Sequence, residues 1–270
     1  MFLEIIGKLL SESLLSLYPI FVKNIGLSIP LQMWSRFFSY AIISLFFVDA
    51  TYIQQNILSY NGLLLSFVTI AHIYTSYRGF QLLESGIAYT LFYLYPIMIL
   101  LLAKKAIHPI LLVSLVGVYL LSSSTPSPNI HTNDMEGLVM ILGAAFTEAL
   151  IYFIVLNLKT ENNWNHIFLS YYLGAALFTG FMFQQISKLT IESMLSISLG
   201  INAIIGLLGY LLRFYAISRL DTTTYASLSY FGIFMAYVYG VLINNDTITI
   251  QKIFGTLCII IPNLYLLFVR

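Results

Sequence analysis

Two glutamates of this 270-residue chain interrupt long apolar stretches, and both could exchange protons. Glu12 lies in LLSESLLSLYPIF, and Glu148 lies in GAAFTEALIYFIVLNLK. Each precedes a lysine by eleven residues, Lys23 or Lys159, so the same pattern occurs twice at an offset of 136. Eleven residues span about 16 Å of helix, so neither glutamate can pair directly with its lysine. We expect the lysines to extend to the membrane surface while the glutamates stay deep.

A carboxylate in the middle of a bilayer must have a compensating environment. Its insertion costs at least ~2.5 kcal/mol when charged. The cost falls when the group is protonated, faces water or accepts a hydrogen bond. We therefore predict that Glu12 and Glu148 bind protons or solute beside a central cavity. The alternative is that each glutamate only holds neighbouring helices together, and a duplicated sequence would give such a pair by ancestry alone.

Other polar side chains recur at helical spacing within apolar stretches. They should face the interior of a helix bundle, because lipid offers no partner for their polar atoms. The candidate solute contacts are Tyr89, Tyr93, His72, Asn202, Tyr225 and Arg36. The chain has 20 tyrosines, so packing or an interfacial position is the alternative for each of them. For the histidine, the alternative is an ordinary core position.

Arg36 and Arg213 lie about one turn inside the ends of their apolar stretches. The interpretation that we favour is that both side chains extend to the lipid headgroups and leave only their stems in the apolar region. An anionic solute would instead make them binding groups.

The composition places most of the chain in lipid. Hydrophobic residues make up 59% and charged residues 9%, and the mean hydropathy is +0.89. Soluble domains carry roughly 25% charged residues, so this chain could not cover a surface in water. The net charge of +1 does not predict nucleic-acid binding. With one cysteine and no phosphate-loop, zinc-protease or serine-hydrolase motif, we expect no metal, no cofactor and no enzymatic activity.

The apolar stretches predict ten spanning helices. They lie at residues 4–22, 32–49, 61–80, 85–102, 107–122, 136–157, 166–184, 193–217, 222–243 and 250–268. A polar, proline-containing linker at 123–135 separates a first half, 1–122, from a second half, 136–270. Five spans in each half reverse the orientation of the second half. The predicted fold is therefore an all-α polytopic membrane protein with ten transmembrane helices as two inverted five-helix repeats.

The repeat is also visible in the residues. QLLESGIAYTLFYLY at 81–95 aligns with SRLDTTTYASLSYFG at 218–232. Both copies open a helix with an acidic residue followed by Ser or Thr, which suits the first helical turn.

The basic residues near the span ends favour cytoplasmic termini. With the N-terminus inside, seven basic residues lie on the inner side and five on the outer side. The inner set is Lys8, Lys104, Lys105, Lys159, Arg213, Arg219 and Arg270. We expect an integral multi-pass protein of the cell membrane, or of the inner membrane in a prokaryote.

Several motifs resemble known transporters. SLYPIFVKNIGLSIPLQMWSRF resembles the first-helix signature of the drug/metabolite transporter superfamily, EamA-like branch, with Lys23, Pro30 and Arg36 at the signature positions. The family's fourth helix, which contains a proline, is resembled by FQLLESGIAYTLFYLYPIMILLLA. The second copy is AISRLDTTTYASLSYF, and Ile233 stands where the family usually repeats that proline. SGIAY is similar to the small multidrug resistance proteins.

The small multidrug resistance proteins suggest roles for two residues. In those proteins a first-helix glutamate takes protons and the motif's tyrosine contacts substrate. Tyr89 matches that tyrosine, and Glu12 matches the glutamate in kind, about one turn earlier relative to Lys23. The resemblance to the two families implies ten helices in two inverted halves, cytoplasmic termini, a central cavity and transport of small organic solutes.

Together these observations predict a secondary active transporter. It would move an amino acid, a metabolite or a drug-like cation by alternating access, with the proton as the candidate coupling ion. Its partners would be the solute and the lipid bilayer, with a homodimer as a candidate assembly. The alternatives are a non-transporting membrane scaffold, which needs no ionisable groups at matching depths, and an intramembrane enzyme.

Overall fold

The computed structural model describes residues 2–83, 85–105, 109–122, 132–186, 197–244 and 249–268. The regular structure of these ranges is helical throughout, as the sequence predicts. The helices are α1 (Phe2–Leu15), α2 (Tyr18–Asn24), α3 (Ile29–Leu45), α4 (Ala50–Asn56), α5 (Tyr60–Leu82), α6 (Ser85–Phe92), α7 (Tyr95–Leu102), α8 (Ile110–Ser122), α9 (Thr132–Asn157), α10 (Asn163–Phe181), α11 (Phe183–Ile186), α12 (Ile197–Ile217), α13 (Thr222–Ser229), α14 (Phe231–Asn244) and α15 (Ile250–Phe268).

Two of the predicted spans are broken just before a proline. The first breaks between α1 and α2 ahead of Pro19, and the fourth breaks between α6 and α7 ahead of Pro96. Proline has no N–H to donate, and its ring clashes with the carbonyl of the preceding turn. At each break the chain tightens into a shorter turn, in which Leu17 N donates to Leu14 O and Leu94 N donates to Leu91 O, both at 3.2 Å.

The ninth predicted span is also broken, although Ile233 stands where proline would be expected. Helix α13 ends at Ser229 and α14 begins at Phe231. At the junction Tyr230 N donates to Ser227 O at 3.4 Å, which is again a shortened turn. The two segments that align in the sequence, 81–95 and 218–232, are therefore both followed or interrupted by a helix break, but only the first lies beside a proline.

Helices α4 and α5 form a sharp corner instead of one straight span. The pair is bent by 86° at a short break. Asp49 caps α4 by accepting from Thr51 N and Tyr52 N, and Ser59 caps α5 by accepting from Gly62 N. These caps satisfy N–H groups that a helix start leaves free, so the corner is specified by local sequence.

Fewer helices pass a test of length and hydropathy than the ten predicted spans. In the described residues, Phe2–Val22, Met135–Asn157 and Thr222–Ile243 are long and apolar enough to cross a membrane, and the bent α4–α5 pair raises the number to four. Each of the ten predicted stretches contains helical residues. Two further described stretches, Ala203–Ile217 and Ile250–Pro262, are apolar but shorter than a membrane crossing requires.

The outer surface is apolar. Large hydrophobic side chains point outward from many helices, including Phe46 at 80%, Phe181 at 86% and Leu242 at 72% exposure. A protein in water rarely leaves so many large apolar side chains outside, whereas lipid-facing helices require them.

The two halves of the chain pack against each other through matched helix pairs. Helix α1 packs on α12, α5 on α9, α3 on α10, α7 on α13 and α8 on α15. Every one of these pairs joins a helix before the 123–135 segment to one after it. The most extensive helix packing therefore joins the two halves, and helices within each half add further contacts.

Helices α8 and α15 approach each other closely at Gly117 of α8. A Cβ at this position would lie 2.5 Å from the carbonyl oxygen of Gly255, and backbone cannot rotate away as a side chain can. We expect Gly117→Ala to lower the free energy of unfolding by about 1–3 kcal/mol. Thermal unfolding of the purified protein in detergent measures the change.

Gly180→Ala on α10 is the matched control, because nothing lies within 4 Å of its added Cβ. This change should be neutral or stabilising by up to about 1 kcal/mol, since alanine favours helix. Equal unfolding temperatures for the two variants would contradict the close α8–α15 contact.

Candidate functional site

A cluster of charged and titratable side chains is buried where α1, α3, α5, α9 and α12 meet. We call it the buried charge cluster; it comprises Lys8, Glu12, Arg36, His72, Glu148 and Arg213. None of its members exceeds 5% exposure. Charged groups at this depth are rare and expensive, and they persist when they pair with one another or serve a function.

Arg213 joins the two glutamates that the sequence singled out. Its Nη2 donates to Glu12 Oε1 at 3.0 Å, and its Nη1 donates to Glu148 Oε1. One guanidinium therefore bridges two residues that are 136 positions apart in the chain. The prediction that Arg213 extends to the lipid headgroups is wrong, because two carboxylates in a poorly solvated interior hold the guanidinium inside.

Glu12 is compensated on both of its oxygens. Lys8 Nζ lies 2.5 Å from Oε1, and Tyr95 donates to the same oxygen at 3.0 Å. Tyr93 donates to Oε2 at 3.1 Å. The glutamate thus faces two cations, counting Arg213, and two hydroxyl donors. This environment favours the ionised carboxylate.

A broken helix makes the two tyrosine contacts with Glu12 possible. Residues two apart on a continuous α-helix point about 200° away from each other. Tyr93 lies in the break between α6 and α7 and Tyr95 begins α7, so both hydroxyls reach the same carboxylate. The break at Pro96 therefore shapes the site directly.

Glu148 faces a histidine in place of a lysine. His72 Nε2 lies 3.2 Å from Glu148 Oε2 and 3.0 Å from the Tyr210 hydroxyl. On the other side of the ring, Nδ1 lies 3.1 Å from the carbonyl oxygen of Ala144. A carbonyl oxygen only accepts, so Nδ1 carries a hydrogen. The contact between Nε2 and the carboxylate is then attractive only when one more proton is present on the histidine or on the glutamate.

Arg36 lies among tyrosines and has no carboxylate beside it in the described part of the chain. Its guanidinium donates to the hydroxyls of Tyr171 at 2.8 Å and Tyr77 at 3.4 Å. Among the described residues, its Nε has no hydrogen-bond partner. Its carbon Cζ lies 4.7–5.9 Å from the centres of five tyrosine rings, those of Tyr18, Tyr40, Tyr77, Tyr171 and Tyr210.

The prediction that Arg36 extends to the headgroups is therefore also wrong. At 5% exposure the side chain points into the bundle. Cation–π attraction supplies ~0.5–1 kcal/mol per exposed contact and more when the pair is desolvated. Several such rings offset the cost of burying the charge.

A small cavity of about 40 Å³ adjoins the cluster. A single water needs about 10–15 Å³ of such space, so the cavity has room for a few small molecules of that size but not for an organic solute. Its walls are formed by Leu15, Tyr18, Arg36, His72, Ser76, Phe80, Tyr89, Phe92, Tyr93, Tyr210 and Arg213.

The structure brings most of the predicted site residues to one place. Glu12, Glu148, His72, Arg36 and Tyr93 belong to the cluster or contact it.

The remaining candidates vary in their relation to the cluster. Tyr89 lines the cavity and donates to the Ser16 carbonyl oxygen, while Tyr225 places its ring 3.6 Å from Lys8 Nζ. The side chain of Asn202 lies outside the described part of the structure.

Sequence reasoning missed three contributors. Lys8 was expected near the cytoplasmic surface, but it is fully buried against Glu12. Its i, i+4 spacing from the glutamate was the available signal. Tyr95 and Tyr210 carried no signal, because they are two of many tyrosines and only the helix break and the α12 packing single them out.

The comparisons with known proteins agree with the resemblance seen in the sequence. Residues 135–267 match the EamA-like transporter family. No curated protein matches the chain. A solved structure titled "Crystal structure of protein" superposes with a TM-score of 0.73, covering 99% of both chains at 11% identity. At that identity the likeness extends to the fold alone.

Removing Arg213 should destabilise the protein strongly. In Arg213→Met two buried carboxylates lose their shared cation, and breaking a buried pair from one side costs about 3–5 kcal/mol. Adding Glu148→Gln should restore part of the loss, because it removes the carboxylate that has lost its arginine, whereas Glu12 still contacts Lys8. Thermal unfolding in detergent provides the measurement.

Arg78→Met is the matched control for this change. Arg78 pairs with Glu136 at 2.7 Å, but the two side chains are 35% and 40% exposed. Such a pair contributes about 0–1 kcal/mol. If Arg213→Met is no more damaging than Arg78→Met, the bridge does not stabilise the fold.

Proposed function

We propose that this chain, whose residues 135–267 belong to the EamA-like transporter family, is a secondary transporter that moves a small organic solute by alternating access. The family and the apolar helices make it an integral membrane protein. The observation that carries the proposal is the buried charge cluster, which lies beside a cavity and draws residues from both halves of the chain. A purely structural interior would not require six ionisable groups.

The proposed architecture is two inverted five-helix repeats, 1–122 and 136–270, joined by the 123–135 linker. The packing pattern supports it. Under such a repeat α1 corresponds to α9, and α5 corresponds to α12. Helix α1 packs on α12, and α9 packs on α5, so exchanging the halves reproduces the pattern. The pairs α3–α10 and α8–α15 each join corresponding helices, and α7–α13 joins the fourth predicted span to the ninth.

Alternating access would use the broken helices around the cavity. The breaks at Tyr93–Leu94 and at Tyr230 lie in corresponding segments of the two halves. Discontinuous helices at such places are a feature of transporter binding sites. The 40 Å³ cavity is too small for an organic solute, so it would have to widen before such a solute binds.

The pair His72–Glu148 is the better candidate for proton coupling. Lys8 and Arg213 both face Glu12 and favour its ionised form. Glu148 shares one of those cations and meets His72 through a contact that is attractive only with an added proton. A proton bound there and released on the other side would couple transport to a proton gradient.

The proposal also retains cytoplasmic termini and a location in the cell membrane or the inner membrane of a prokaryote. A homodimer remains a candidate assembly. The chain would leave its solute chemically unchanged.

Transport is tested by reconstituting the protein into liposomes and measuring uptake of a labelled panel of amino acids, organic acids and organic cations. We expect at least one solute to accumulate above protein-free liposomes. Arg78→Gln, which lies away from the cluster, should keep the uptake. A protein that folds yet moves none of these solutes would favour the scaffold alternative.

Proton coupling is tested with a pH-sensitive dye trapped in the same liposomes. We expect Glu148→Gln and His72→Gln to abolish solute-dependent proton movement, because each removes one partner of the proton-sharing contact. Exchange of labelled solute without a gradient should persist, which separates lost coupling from misfolding.

Glu12→Gln provides the opposing case. Because its charge is balanced by Lys8 and Arg213, this change should reduce stability by about 3–5 kcal/mol and should not selectively remove coupling. If Glu12→Gln selectively lost proton coupling while Glu148→Gln kept it, the coupling proton would be assigned to Glu12.

A further inference from the structure

We infer that the cavity accepts a solute with an anionic head group of the carboxylate type, held by Arg36. This inference rests on the proposed function and narrows its solute classes, since it disfavours a drug-like cation. It depends on the donors of Arg36, on the charge of the cluster and on the walls of the cavity.

Arg36 has unused hydrogen-bonding capacity and lines the cavity. A guanidinium carries five N–H groups in a fixed plane. Arg36 donates to the hydroxyls of Tyr171 and Tyr77, and its Nε has no partner among the described residues. The side chain is only 5% exposed. A carboxylate matches the geometry of such a group by accepting two parallel hydrogen bonds.

The buried charge cluster has an excess of positive charge. Among its described members, one lysine and two arginines face two glutamates, so one positive charge is left over when His72 is neutral. Any proton held between His72 and Glu148 increases the excess. The sign is therefore the same in both protonation states, and the unbalanced cation is Arg36, because Arg213 and Lys8 already contact carboxylates.

The tyrosines around Arg36 lower the cost of burying its charge without neutralising that charge. Their rings offer the negative face of a quadrupole, and their hydroxyls offer neutral acceptors. Neither supplies a compensating charge. An anion entering the cavity would remove this imbalance, whereas a cation would be repelled by Arg36, the unbalanced arginine of the wall.

The remaining walls suit an apolar portion of the solute. Leu15, Phe80 and Phe92 line the cavity together with the polar groups. A small acid with a hydrophobic or aromatic body would place its carboxylate at Arg36 and its body against these side chains. The cavity of about 40 Å³ holds little more than a head group, so binding of the whole molecule requires widening.

The charge preference is tested with three probes of nearly the same shape. Purified wild-type protein in detergent is heated with benzoate, with neutral benzamide and with cationic benzylammonium at matched concentrations. A ligand of the native state raises the unfolding temperature. We expect benzoate to raise it by about 2–4 °C and the other two to leave it unchanged. An equal or larger rise with benzylammonium, or no rise with benzoate, overturns the inference.

The role of Arg36 is tested in variants. Arg36→Gln should weaken benzoate binding about 10- to 100-fold, since it removes charge-assisted hydrogen bonds. Arg36→Lys retains the charge but not the planar guanidinium, so its affinity for benzoate should lie between those of wild type and Arg36→Gln. Arg78→Gln should bind as wild type does. Benzoate binding that is undiminished in Arg36→Gln contradicts the assignment, and the wild-type comparison decides the charge preference even if Arg36→Gln fails to fold.

Liposome uptake separates this inference from the transport proposal. Uptake of a neutral or cationic solute, with no benzoate binding, would leave a transporter and overturn the anion site. Arg36-dependent benzoate binding in a protein that moves no solute would support the anion site and overturn the transport proposal.

Discussion

The centre of this protein is organised by one guanidinium shared between two carboxylates. Arg213 on α12 reaches Glu12 on α1 and Glu148 on α9, all three beyond the reach of bulk solvent. Leaving any one of the three charges without its partner costs several kcal/mol, so the helices that carry them must stay in register. Because the three helices come from both halves of the chain, the same interaction also ties the halves together at the level of the cavity.

The two glutamates occur in the same sequence pattern but have different surroundings in the structure. On α1, Lys8 lies one turn before Glu12 and compensates it with a second cation. On α9, the residue one turn before Glu148 is Ala144, whose carbonyl instead accepts from His72, and the histidine ring takes the place of the lysine beside the carboxylate. The two cations beside Glu12 favour its ionised form, whereas an imidazole can itself hold or release a proton. This asymmetry is why the proposed proton site lies in the second half.

Broken helices and tyrosines provide the other contacts of the buried charge cluster. The break before Pro96 turns two nearby tyrosines toward one carboxylate, and the rings around Arg36 hold a cation that has no acid beside it in the described ranges. The carboxylates of the cluster are hydrogen-bonded, whereas Nε of Arg36 and Nε of Arg213 have no partner among the described residues. Arg36 and His72 both lie in the wall of the cavity of about 40 Å³.

The sequence by itself determined the environment, the helical class and most of the central residues. Sparse charge and long apolar runs required lipid around the chain, and acids within those runs had to face inward, so Glu12, Glu148 and His72 could be named in advance. Periodicity gives the face of a helix but not its partner, and so the arginines were expected at the headgroups. Only the tertiary structure decided their direction, because the attraction of Arg213 to two distant carboxylates and of Arg36 to five tyrosine rings exists only once α3 and α12 are packed against the other half.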